Sequence, residues 1–193
     1  MSCVLGYEPV ADEKSPERVW LETPGEHLLS SLYKDQILAA MHDLRLRNGA
    51  RLVLLGADVR ALGDAERARL LRRVAFVPAN GGLMSSLNAW ENISLPVAYH
   101  APEKLEAALA DVHALLDELG GVDDDLLAKL PEHMTLYERR LAAYLRALLE
   151  RPDLLVVESL AAGLGPVKRA RIGRFAEVYR RHCPNGTFVQ FEG

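Results

Sequence analysis

An α/β fold built on a largely parallel sheet is the architecture this chain predicts, and three observations predict it. Short apolar runs alternate with helical stretches along the chain: Arg51–Leu55, Val74–Val77, Leu154–Val157 and Thr187–Phe191. The run Leu154-Leu155-Val156-Val157 is apolar throughout, as expected of a strand covered on both faces. The stretch from Pro102 to Leu119 carries Leu105, Ala108, Leu109, Val112, Leu115, Leu116 and Leu119 on one helical stripe. Pro102 sits in its first turn and Gly120-Gly121 closes it.

The remaining elements follow in order. Residues 1–16 are polar and broken by Pro9 and Pro16, which predicts at most a short strand. Arg18–Leu21 and Leu28-Leu29 are candidate strands on either side of the turn Thr23-Pro24-Gly25-Glu26. Asp35 to Arg47 predicts a helix with Ile37, Leu38, Met41 and Leu44 on one face, ended by Asn48-Gly49. Asp64 is the expected N-cap of a basic helix from Ala65 to Arg73. Asn80-Gly81-Gly82 is a turn, and Asn88 caps a helix over Ala89–Ile93. Asp123-Asp124-Asp125 starts a short helix to Leu130, and Val167–His182 predicts one basic helix with Ile172, Phe175, Val178 and Tyr179 inward.

The totals bound the function. A length of 193 residues, 49% of them hydrophobic and 26% charged, suits a single globular domain with a sizeable core. A net charge of −4 gives no overall attraction to nucleic acid or anionic lipid, so nucleic acid is not an expected partner. Cys3 and Cys183 lack metal-ligand spacing and fit free thiols in a reducing compartment. The six histidines show no ligand spacing, so no metal centre is expected. The N-terminal residues do not form a signal peptide, and no run approaches the roughly 18 apolar residues that cross a bilayer. A cytoplasmic location is the expectation.

The chain is organised around Leu130–Pro166. Thr135 with Glu138 three residues later forms the pattern of a capping box. A helix over Tyr137–Glu150 follows, with Leu141, Tyr144, Leu145 and Leu148 on one face. Arg151-Pro152-Asp153 breaks it, the apolar strand comes next, and Glu158-Ser159 leads through Gly163-Leu164-Gly165 to Pro166. This order resembles the ABC-transporter ATPase family from its signature motif through Walker B to the D-loop. The frame survives in Arg146-Ala147-Leu148, Pro152, Leu154–Val157, Gly163-Leu164 and Pro166. The run Asn80-Gly81-Gly82-Leu83, then Glu91-Asn92-Ile93 and Pro96, resembles the Q-loop region of the branch that serves Mce-type phospholipid transporters.

The resemblance implies a P-loop-NTPase-like fold over residues 1–193, with a helical subdomain over approximately 83–150. It also implies where chemistry would lie. Met134, Thr135, Leu136, Tyr137 and Glu138 stand at the signature, and Gly163, Leu164 and Gly165 at the D-loop. Glu158 and Ser159 stand where the family has Asp-Glu, Ala79 at the Q-loop Gln, and Phe191 at the switch His. No GxxxxGK[ST] motif is present, and counting back from Gly56 sets Lys34 and Asp35 at the Lys and hydroxyl positions. Leu28 and Tyr33 stand where glycines would let the backbone wrap a phosphate, and the Asp35 carboxylate would repel one.

Phosphoryl transfer needs a phosphate cradle, a Mg²⁺ site and a group that holds water. With these elements altered together, the expectation is a pseudo-ATPase, with ATP and Mg²⁺ as ligands only if nucleotide binding is retained. The family implies an integral membrane permease as partner, a homodimer or a heterodimer with another ABC ATPase, and a place on the cytoplasmic face of the inner membrane. Leu83–His100, with Met84, Trp90 and Tyr99, is the candidate docking surface. A divergent NTPase using Lys34 and Glu158, and an interaction module outside transport, are the alternatives. For Glu158 the competing role is structural, capping a helix or pairing with an arginine. Arg139, Arg140, Arg146 and Arg151 are expected to form a solvated face paired with Glu132, Glu138 and Glu150. Tyr137 either fills nucleotide space or packs on Leu136; Trp90 and Tyr99 are either docking or core residues.

Overall fold

The computed structural model describes residues 3–9, 19–30, 34–43, 50–121 and 125–192. Strands β1 (Leu5–Glu8), β2 (Val19–Leu21) and β3 (Glu26–Leu29) precede helix α1 (Lys34–Asp43). Strands β4 (Arg51–Leu54) and β5 (Ala57–Asp58) form a hairpin through Leu55 and Gly56, both at positive φ, 48° and 84°. Helix α2 (Asp64–Leu71), strand β6 (Val74–Val77), and helices α3 (Ala89–His100), α4 (Leu105–Glu118) and α5 (Leu136–Leu149) follow. Strand β7 (Leu154–Glu158), helices α6 (Pro166–Ile172) and α7 (Phe175–His182), and strand β8 (Thr187–Phe191) complete the order.

The described strands form two sheets. One is parallel throughout, in the order β3-β8-β7-β6. The other is antiparallel, in the order β2-β1-β4-β5. The alternation of side chains along a strand feeds two cores from the parallel sheet. Leu155, Val157 and Phe188 join α5, α7 and the α3–α4 pair in one; Leu154, Val156, Val189 and Phe191 join α1 and the antiparallel sheet in the other. Near-continuous apolar strands are what such double coverage requires.

Helix α5 is the central helix of the first core. Ten of its fourteen residues are buried. Each large apolar side chain so buried stabilises by roughly 1.5–3 kcal/mol. The Tyr144 ring stacks on Phe175 with centroids 4.0 Å apart, and its hydroxyl donates to the Phe175 carbonyl at 2.7 Å. The Thr135–Glu138 capping box forms as the sequence predicts.

The structure corrects several expectations. The short strand expected near the start forms as β1, but it lies inside its sheet, with Leu5 and Tyr7 buried between β2 and β4. Helix α2 is capped by Gly63 rather than Asp64, and the Glu66 carboxylate accepts from Gly63 N at 3.2 Å. Helix α3 runs through Pro96 to His100 instead of stopping at Ile93. Asn92 anchors its start, its side chain bonding Met84, Leu87 and Asn88 backbone groups. The basic helix after Pro166 divides into α6 and α7 because Gly173 is a weak helix former and Arg174 N bonds back to Arg171 O in a tighter turn. The short helix before Leu130 is a 3₁₀ turn over Leu126–Ala128, while Asp123 and Asp124 lie outside the described residues. The predicted continuation of α1 to Arg47 and its Asn48-Gly49 stop also lie outside them.

The loop after β6 is fastened to α5. Gly81 has φ +90°, and a Cβ there would stand 2.8 Å from the Arg139 carbonyl oxygen. Arg146 reaches the Gly82 carbonyl at 3.1 Å. Gly81→Ala is therefore expected to cost about 1–3 kcal/mol of stability, from a strained φ and a backbone clash. Urea unfolding of the variant checks this; an unchanged midpoint would show that the loop is not held against α5.

Candidate functional site at the strand ends

The four parallel strands end on one edge, at Leu29, Phe191, Glu158 and Val77. Ligands of open α/β sheets bind outside such carboxyl ends. Lys34 opens α1 beside this edge. Its ammonium donates to Ser159 Oγ at 3.4 Å and to the Glu192 carbonyl at 3.1 Å. Ser159 follows β7 at φ +42°, buried, and its N–H and hydroxyl both donate to the Phe191 carbonyl, at 2.8 and 3.3 Å. Glu158 Oε2 accepts from Ala79 N at 3.1 Å. A cavity of about 400 Å³ opens beside this cluster, lined by Ser159, Ala161, Ala162, Arg169, Gln190 and Glu192.

Lys34, Ala79, Glu158, Ser159 and Phe191, far apart in sequence, thus gather at one edge. Phe191 contributes only its carbonyl, because its side chain is fully buried. Leu28 lies in β3, so no phosphate-wrapping loop begins before Leu29; residues 31–33, including Tyr33, lie outside the described residues. Asp35 is exposed on the first turn of α1.

The signature-like residues are elsewhere, at the start of α5. Met134 is buried and Leu136 packs partly buried on the core. Thr135 donates to Glu138 Oε2 from its N–H at 2.6 Å and its hydroxyl at 2.7 Å. The Lys129 ammonium meets Glu138 Oε1 at 2.9 Å and Asp125 at 3.0 Å. The carboxylate of this chain therefore closes the positive end of its own helix. Burial alone would raise the Glu138 pKa, but the Thr135 hydroxyl, Lys129 and the Thr135 amide together hold it below the usual range. Tyr137 is buried in the core with the Lys168 ammonium 4.5 Å from its ring centroid. Its hydroxyl feels the Arg171 charge but makes no aligned hydrogen bond. Tyr137 is thus a core residue. At the D-loop-like turn, Gly163 has φ +72°, Leu164 is buried and Gly165 caps α6.

Of the four arginines expected on a solvated face, Arg151 is exposed and Arg139 and Arg146 are half-buried, but Arg140 turns inward. Arg140 is 4% exposed. Its Nε donates to the Ala79 carbonyl at 2.6 Å, and one terminal nitrogen donates to the Leu160 and Ala162 carbonyls at 2.7 and 2.6 Å. Burial and the neighbouring Arg139 lower its pKa, and the charge of Glu158 opposes them. Glu138 pairs with Lys129 instead of an arginine. The signal was in the spacing: Arg140 lies three residues after Tyr137 and four before Tyr144, on the buried face.

A second concavity, about 310 Å³, lies between α3, α4 and the end of α5. Pro96, Val97, Ala101, Ala108 and Leu149 form its apolar part, and Arg72, His100, Lys104, Asp111 and Glu150 its charged part. Met84 and Tyr99 are 50% and 82% exposed, whereas Trp90 packs partly buried on the core.

A parallel sheet with helices on its faces and polar groups at its carboxyl ends fits a P-loop-NTPase-like fold, and its neighbours among solved structures show the ABC ATPase form of it. Two solved structures share it. One, cbiO1 of Clostridium perfringens, described as part of the ABC transporter complex cbiONQ, superposes with a TM-score of 0.72 at 12% identity, over 100% of this chain and 79% of that one. A dimeric ATP-binding cassette in a post-hydrolysis state with ADP and Pi gives 0.70 at 15% identity, over 98% and 87%. In sequence, the chain is 29% identical over 140 residues to the methionine import ATP-binding protein MetN 2 of Pseudomonas aeruginosa, covering 72% of this chain and 41% of that protein. It is 25% identical over 135 residues to the lipoprotein-releasing system ATP-binding protein LolD of Shewanella denitrificans, covering 69% and 57%. The chain thus spans about two fifths of the methionine-import relative's length. No protein-family profile matches it. The relatives, which carry the names of ordinary ATP-binding subunits, support the ABC-transporter ATP-binding domain family for this chain.

The depressed pKa of Glu138 gives a pH test. Its contribution to stability is present above the unfolded value of about 4.3 and is lost as pH falls through the lower folded value. Glu138→Gln is expected to cost about 1–2 kcal/mol at neutral pH. The gap between variant and parent should close below about pH 4, as thermal or urea unfolding across pH would read. A pH-independent gap would mean that the carboxylate charge plays no part.

Proposed function

We propose that this chain is an ABC ATPase-fold subunit that does not hydrolyse ATP and serves as a structural or regulatory partner of a membrane permease. The observation that carries this reading is that the strand-end groups are engaged by the chain's own atoms. The Lys34 ammonium is engaged by Ser159 and Glu192, and Glu158 by Ala79. Ser159, at the family's catalytic carboxylate position, offers a hydroxyl that cannot act as a carboxylate base toward water. The start of α5, which in the family faces a partner's nucleotide, is closed by Glu138. A phosphate there would meet a negative charge.

The reading divides the chain into one cassette domain, 1–193, with helices over approximately 83–150 as its helical subdomain. Its site residues would be vestiges: Lys34 and Asp35 of the nucleotide position, Met134–Glu138 of the signature, and Gly163–Gly165 of the D-loop. Among the described residues no helix is long and apolar enough to cross a membrane, so membrane association would run through the permease. The concavity between α3 and α5 supports such docking. An apolar floor with charges of both signs suits an amphipathic cytoplasmic segment, and the exposed Tyr99 stands on α3 as an anchor. The Asn80–Pro96 run favours the lipid-transport branch.

One observation favours the alternative of a divergent nucleotide-binding subunit: Lys34 does reach the strand ends, beside a cavity of about 400 Å³ that Arg169 also lines. Calorimetry and a phosphate-release assay with ATP–Mg²⁺, on the parent and on Lys34→Ala, decide between the two. The proposal expects no Mg²⁺-dependent release from either protein. Hydrolysis that disappears with Lys34→Ala would overturn it. Mixed with an intact ABC ATPase, the chain should complete neither composite site, since one would lack the phosphate cradle and the other the signature.

Docking has its own test. Co-expressed with a candidate permease, the parent chain should sediment with membranes, and Tyr99→Asp should lower that fraction about tenfold, the usual cost of losing an aromatic anchor. Sedimentation that ignores the substitution would place the contact elsewhere.

A further inference from the structure

Arg140 is a buried cation whose named partners are all carbonyls of the chain itself, drawn from two loops outside its own helix. Ala79 belongs to the loop after β6, and Leu160 and Ala162 to the loop after β7. A planar guanidinium presents donors in a fixed fork, so it sets the distance and angle between everything it binds. The Ala79 peptide is held from both sides, its N–H by Glu158 Oε2 at 3.1 Å and its carbonyl by Arg140 Nε at 2.6 Å. The same loop is fastened twice more to α5, by Arg146 on Gly82 O and by the close approach of Gly81 to the Arg139 backbone.

We infer that Arg140 is an internal clamp: it holds the ends of β6 and β7 and the helix α5 in one arrangement, and that arrangement does not depend on a bound nucleotide or metal. The electrostatics fit. A cation in this position neutralises the field of Glu158 and the negative ends of three carbonyls. In a ligand-driven site a soluble cation would have to arrive to connect such groups. Here a side chain anchored on a helix whose neighbours are buried does so permanently. The consequence is that α5, with the α3 and α4 helices packed on it, is coupled rigidly to the parallel sheet. A ligand with no differential contact to two arrangements cannot shift between them, and the clamp leaves one arrangement.

Hydrogen–deuterium exchange reads the clamp directly, because the amides of both loops are bonded: Ala79 to Glu158, Gly82 to Asn80, Ser159 to Phe191 and Ala162 to Ser159. In the parent, millimolar ATP–Mg²⁺ should leave exchange in segments 78–82 and 158–164 unchanged within a factor of about two. In Arg140→Ala, exchange in both segments should rise at least about tenfold, and methylguanidinium should restore protection with saturation. Arg140→Lys, whose single ammonium cannot span all three carbonyls, should show partial loss. Parent-like exchange in Arg140→Ala would overturn the proposal, as would a change of more than about tenfold on adding ATP–Mg²⁺ to the parent. Should Arg140→Ala not fold, the parent with ATP–Mg²⁺ and Arg140→Lys still decide: parent-like exchange in Arg140→Lys refutes the clamp.

Discussion

The guanidinium of Arg140 constrains the rest of the structure because it sits in a helix buried on nearly every side. A charge inside such a helix persists only where polar groups meet it. Three carbonyls do so here, and each comes from a loop that follows a strand of the parallel sheet. The requirement to satisfy one cation thus fixes where β6 and β7 hand the chain on. Removing it would leave the buried Leu160 carbonyl without this partner, a loss larger than that of the hydrogen bond alone. Packing of α5 by Leu141, Tyr144, Leu145 and Leu148 supplies the stability, and Arg140 supplies the geometry.

The edge where Lys34, Glu158 and Ser159 meet follows from the topology. Strands that all run one way bring their ends to one side, whatever chemistry the side chains carry. What distinguishes this edge is its inward direction. Ser159 bends at positive φ and points its bonds at Phe191, and Lys34 spans from α1 to Glu192. These groups tie neighbouring strands to each other at the edge.

Much of this was legible in the sequence. The apolar runs located the parallel strands, and Thr135 with Glu138 located the start of α5, because both signals are local. The interior place of Leu5–Glu8 in its sheet was not legible: its partners are Val19–Leu21 and Arg51–Leu54, distant in sequence, and a short segment beside prolines gives no periodicity of its own. The break at Gly173 was hidden by a continuous helical stripe. Arg140 was misplaced for another reason. Sequence charge rules pair arginines with nearby glutamates, and only the wheel position relative to Tyr137 and Tyr144 could have shown that this one turns inward. The gathering of Lys34 with Ser159, 125 residues apart, was legible only through the family resemblance.

The strand β7 carries a consequence for how the chain finds its fold. Leu154-Leu155-Val156-Val157 reads almost the same on both faces, so sliding it by one residue would offer each core a side chain of similar size. The apolar pattern therefore gives little protection against misalignment. The alignment must come from the ends. At the start, Asp153 and Leu154 amides bond the Arg73 carbonyl, Thr187 bonds the Asp153 carbonyl, and Asp153 pairs with Arg73 at 2.6 Å. At the finish, Glu158 reaches Ala79. The polar residues that bracket the strand act as its ruler, Glu158 among them.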